Sequence, residues 1–135
     1  MNVRHAAWRL EPDEDLRRGL EARLGGEDYA AGWVVAVVGS LWEARLRYAD
    51  QPESTLVGGP LELVSLSGTL SPDGVHLHAS VADHRGRMRG GHLGYGCKVR
   101  TTVEIVCALS SAPGLAFRRV HDERTGFREL RIGDA

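Results

Sequence analysis

The chain has 135 residues, with 17 Lys or Arg against 18 Asp or Glu and a net charge of −1. That length suits one domain, read as residues 1–135 with a core over about 8–132, long enough to bury an apolar interior without staples. The balance excludes a wholly basic nucleic-acid binder, and no apolar run of about 18 residues exists to span a membrane. Glycine is frequent, 17 of 135 residues, against a usual share of about 7%. That favours many turns and hence many strands. The start, Met-Asn-Val-Arg-His, lacks an apolar signal core, so a cytoplasmic protein is expected.

In chain order, His5 to Leu10 reads as a first strand. Asp13 then suits a helix N-cap, with Glu14 and Asp15 beside the positive end of the helix dipole. Leu16, Leu20 and Leu24 form a narrow apolar stripe, and Gly25-Gly26 stops the helix. Gly32 to Val38 is a β-rich run read as a central strand. Gly39-Ser40 is expected to break it, and Leu41 to Tyr48 follows as a half-buried strand across a hairpin or corner. Residues 49–60 carry Pro and Gly-Gly-Pro and read as a loop. Leu61 to Leu70 is a strand whose Gly68 marks a bulge or close packing. Ser71-Pro72-Asp73-Gly74 is a turn.

Val75 to Ala82 is the next strand, with Val75, Leu77, Ala79 and Val81 on the inner side and His76, His78 and Ser80 on the other. Asp83-His84-Arg85-Gly86 reads as a turn. Cys97 to Leu109 is the longest strand candidate. Its two cysteines make no CxxC motif and are read as pointing to opposite faces, hence as unpaired, reduced thiols. Leu115 to Val120 and Phe127 to Ile132 are the last two strands, separated by a turn over Asp122 to Gly126. The sum is an α+β fold, a largely antiparallel sheet of about seven to eight strands with one packed amphipathic helix.

The histidines carry the only constellation that suggests site chemistry. His76 and His78 are spaced i, i+2, so on a strand they share a face with Cα atoms roughly 6.6 Å apart, within reach of one ion. His92 follows Gly90-Gly91, where missing side chains let another group approach. Three imidazoles with an open fourth position suit zinc or another divalent metal with bound water. The plainer reading is that they face solvent or bond a neighbour. Glu104 is a candidate metal ligand, a partner for one of the histidines, an acid or base, or an ion-pair partner of Arg100. No Walker-type, HExxH, GxSxG or dinucleotide-binding motif is present.

Charge is unevenly spread. Residues 1–84 hold 7 basic and 13 acidic side chains, and residues 85–135 hold 10 and 5. The second part is either a basic patch for a nucleic acid or part of a mixed, soluble surface. Arg85-Gly86-Arg87-Met88 is close to the Arg-Gly-Arg-Pro core of an AT-hook. Met88 replaces the proline, and the segment reads as a turn inside the domain.

Several fragments occur together in a fixed order: Val38-Gly39-Ser40-Leu41, Glu62 to Leu70, His76-Leu77-His78, Gly90-Gly91-His92-Leu93 and Thr125-Gly126-Phe127. In this the chain resembles the plants and prokaryotes conserved (PPC) domain family, whose members are also labelled DNA-binding, from about Trp8 to Ile132. The resemblance implies an antiparallel sheet with a packed helix, assembled as a homotrimer. It also implies a metal held through histidines near subunit boundaries, which by motif are His76, His78 and His92. In plant relatives an AT-hook precedes the domain and binds DNA. This chain has none, so the implied partners are other copies of itself, with DNA contact lacking its usual carrier. Two functions follow as expectations. One is a DNA-associated regulatory or assembly protein with a three-histidine metal site. The other is a metal-dependent enzyme or small-ligand-binding protein with no direct DNA contact.

Overall fold

The computed structural model describes residues 2–135. The elements are β1 (Asn2–Leu10), α1 (Leu16–Leu24), β2 (Ala31–Arg47), β3 (Thr55–Ser71), β4 (Gly74–Ala82), β5 (Met88–Leu93), β6 (Val99–Ser111), β7 (Leu115–Asp122) and β8 (Phe127–Asp134). The described residues thus form eight strands and a single short helix, and the strand pairs are antiparallel. Six strands form one sheet in the order β1-β6-β2-β3-β4-β5. The end of β2 pairs again with β5, through Leu46 with Leu93 and Arg47 with His92. That second pairing closes β2, β3, β4 and β5 into a ring. β7 and β8 make a separate hairpin, anchored by buried Phe117, whose amide donates to the Ala30 carbonyl at 2.8 Å.

Two boundaries depart from the sequence reading. Gly39-Ser40 does not end a strand, because β2 runs unbroken for 17 residues. Its pairing shifts register between Gly39 and Leu41 against β6, and between Leu41 and Glu43 against β3. Such bulges bend a strand without stopping it. Residues 49–60 are not all loop either, since β3 begins at Thr55. Leu41 pairs with Leu61 and Glu43 with Gly58. Gly59 and Pro60 therefore fall at the bulge around Trp42, where proline's missing N–H costs no ladder bond.

The helix starts later than the sequence suggests. Asp15, not Asp13, is the N-cap, with its Oδ2 accepting from the Arg18 amide at 2.9 Å. Asp13 lies in the preceding turn with φ of 72°, and Glu14 pairs with Arg23 at 2.9 Å. Leu16, Leu20 and Leu24 are buried with the sheet leucines in one core. Gly25 closes the helix, its amide donating to the Glu21 carbonyl at 3.0 Å.

The cysteine reading needs one correction. Cys97 precedes β6, and Cys97 and Cys107 do not face opposite ways. An even sequence separation puts both on one side of a regular strand, and both are buried in the same core as free thiols. They remain unpaired because the length of β6 separates them.

Candidate metal centre

β4 alternates as its sequence demands. Leu77, Ala79 and Val81 are buried, while His76 and His78 take the other face. β5 returns beside β4 after the turn at residues 83–87, and its register sets His92 directly opposite His78. Two glycines let the strands close up there. A Cβ on Gly68 would collide with the His76 carbonyl oxygen, and one on Gly91 would press on the Arg47 carbonyl oxygen. Gly91 therefore admits the end of β2 beside the strand that carries His92.

The three rings converge. Their centres lie 5.0 Å apart for His76 and His78, 5.2 Å for His76 and His92, and 5.7 Å for His78 and His92. One nitrogen from each lies within 4.8 Å of the other two. Among the described residues this is the one group of three or more His, Cys, Asp or Glu side chains spaced to hold a metal ion.

The electrostatics favour a metal ligand set. Burial, then the charges of His76 and Arg47, pushes the His92 imidazole down to about 4. Burial, then Arg119 and His78, also lowers His76. Both rings are therefore held neutral at ordinary pH, the form that ligates a metal. His92 Nδ1 is buried without a hydrogen-bond partner. Leaving such an atom unsatisfied costs about 1–3 kcal/mol, so the ring is held short of a hydrogen bond that a ligand could supply. Zinc–nitrogen bonds of about 2.0–2.1 Å would draw the nitrogens closer together than 4.8 Å. The residues present fit a three-histidine metal ion.

Beside His76 and His92 lies a hollow of about 410 Å³. Arg17 of α1, Arg47 of β2, Arg119 of β7, and Arg128 and Glu129 of β8 face it. The sequence reading did not single out any of these. They come from four distant segments, and only Arg17 carried a signal. It sits with Arg18 in the first helical turn, where no acidic residue lies and where a positive charge opposes the helix dipole. Glu104 lies elsewhere. It is exposed on β6, between Arg9 of β1 and Val38 of β2, and does not line the hollow. Among the described residues it makes no ion pair with Arg100, whose guanidinium lies 5.0 Å from the Trp42 ring centre. The AT-hook-like segment is a turn, in which Arg87 pairs with Asp83 at 2.8 Å.

The profile of the Plants and Prokaryotes Conserved (PCC) domain matches residues 2–110. The chain belongs to this family. One similar solved structure, a hypothetical protein from Salmonella, is 39% identical with a TM-score of 0.92, covering 98% of this chain and 95% of that one. A second is the metal-containing protein AF0104 from Archaeoglobus fulgidus, 29% identical with a TM-score of 0.78, covering 95% of this chain and 93% of that one. A curated relative, the bifunctional protein GlmU of a Synechococcus strain, is 48% identical over 124 residues. That match takes in 92% of this PCC-domain chain but only 19% of GlmU. The chain thus spans about a fifth of that relative's length. Among the described residues no helix is long and apolar enough to cross a membrane.

Proposed function

We propose that this PCC-domain protein is a metal-binding module that assembles as a homotrimer, with one ion per chain held by His76, His78 and His92. The convergence of three imidazoles, one nitrogen from each within 4.8 Å of the others, carries the reading. The name of the Archaeoglobus neighbour, a metal-containing protein, supports it. Zinc suits an all-nitrogen set of this kind best, and when bound it would supply a Lewis acid with an open coordination position. The chain's own part is to hold three imidazoles together on one hairpin. Self-assembly is supported by exposed apolar side chains on the outer face of the sheet, Val38 at 58%, Val64 at 49% and Trp42 at 46% exposure.

Small-ligand binding beside the ion is favoured over direct DNA contact. Part of the basic charge of the C-terminal part is already neutralised, since Arg87, Arg118 and Arg124 are each paired with an aspartate. A DNA role would show as a duplex gel shift that weakens steeply with salt.

The deciding measurement is metal content by mass spectrometry on tag-free protein. About one ion per chain is expected in the wild type, from the single three-histidine set. It should be lost when His76, His78 and His92 are all changed to alanine. Unchanged metal content in that variant would refute the assignment.

A further inference from the structure

We propose that the hollow beside His76 and His92 is a binding site for a small molecule with an oxyanion group, a phosphate or a carboxylate. Arg119 is its main counter-charge, and Arg17 and Arg47 stand around it. The proposal deepens the metal-site reading, because the hollow opens on two of the three histidines.

The charges of the hollow do not balance. Asp73 and Glu129 also line it. Asp73 is already occupied, accepting from the Arg118 guanidinium at 2.6 and 3.2 Å and from the Arg119 amide at 3.0 Å. That leaves Glu129 as the one carboxylate among four arginines. Among the described residues, Arg47, Arg119 and Arg128 have no carboxylate within 4.0 Å. Arg17 is partly satisfied, since its Nη1 donates to the Leu93 carbonyl at 3.2 Å, its guanidinium lies over the Tyr95 ring and its Nε, buried without a hydrogen bond, is 3.8 Å from the Glu21 carboxylate.

Arg119 is also positioned. Its Nη2 donates to Thr69 Oγ1 at 2.6 Å, and Thr69 pairs with His76 across β3 and β4. The guanidinium is thereby tied to the histidine side of the hollow. A half-buried guanidinium without a counter-ion is costly, and a planar oxyanion matches its fork of donors. The volume of about 410 Å³ falls within the range of small-molecule sites. An ion on the histidines would add positive charge on the same side.

The test is calorimetric titration of inorganic phosphate and, separately, succinate into the intact protein, zinc-free and zinc-loaded, at fixed ionic strength. At least one anion should bind at one site per chain. Its affinity should fall about tenfold or more in Arg119→Gln and in Arg47→Gln, the usual effect of losing a charge-assisted bond. Zinc content should be unchanged in both variants. Arg124→Gln, at the far tip of the β7–β8 hairpin, should bind as the wild type does. If Arg119→Gln fails to fold, Arg47→Gln decides. Failure of both anions to bind either form would overturn the proposal, as would equal weakening in Arg124→Gln. Anion binding that persists in a protein unable to retain zinc would sink the metal reading and leave this one standing. Retained zinc without anion binding would do the reverse.

Discussion

At the scale of single residues, chemistry here follows from what each side chain can reach. His76 and His78 were legible as a pair because strand alternation forces them to one face, and Gly90-Gly91 flagged the approach beside His92. The arginines were not legible. Nothing local marks Arg47 or Arg119, whose meaning arises only when β2 and the β7–β8 hairpin meet the histidine strands. The cysteines give a prediction of the opposite kind. Burial pushes both the Cys97 and Cys107 thiols up to about 11. Since the thiolate is the reactive form, neither should be labelled by a thiol reagent in the native protein near pH 8. Both should react once denaturant opens the core. Fast labelling of either in the native state would contradict their burial.

At the scale of elements, the helix shows how a short segment is fixed in place. Its nine residues are too few to be stable alone. Asp15 supplies what is missing. Besides capping the helix, its Oδ1 accepts from the amides of Gly96 and Cys97, each at 2.7 Å. One carboxylate thus joins the helix to the loop between β5 and β6. Asp15→Ala removes the cap and strands two loop amides. It should cost about 2–4 kcal/mol in denaturant unfolding, more than a cap alone. A loss under about 0.5 kcal/mol would mean that water replaces these bonds freely. The Leu16, Leu20 and Leu24 stripe was readable because its spacing is local. The true cap was not, because Asp13, Glu14 and Asp15 all suit the role and a contact from a remote loop selects among them. The unbroken β2 was missed for a similar reason. A Gly-Ser pair reads as a stop, whereas here β3 and β6 continue to pair on either side of it.

At the scale of the whole molecule, the family fold was recoverable because its fragments keep their order, though no one of them would have sufficed. Ring closure through β2 and β5 was not, since pairing between strands so far apart in sequence leaves no periodic trace. The exposed Val38, Val64 and Trp42 bear on assembly. Val38→Lys places a charge on that face, and Glu104 stands opposite it to compensate within the chain. Sedimentation should show the proposed trimer reduced to folded monomer in this variant. A trimer that survives the change would move the interface elsewhere, and a monomeric wild type would remove the trimer altogether.

The β4–β5 hairpin has a consequence for the order of folding. All three histidines lie on this one hairpin, joined by a tight turn. The loop that must close to gather them is short, and its entropic cost is small. The four arginines of the hollow come instead from α1, β2, β7 and β8, and they meet only when distant parts of the chain have docked. The two halves of the site therefore differ in kinship to the polypeptide, one local and one global. A nascent or partly unfolded chain would therefore gather the proposed metal ligands well before the proposed anion site forms. An ion so captured would act as an early clip on the strand that closes the ring.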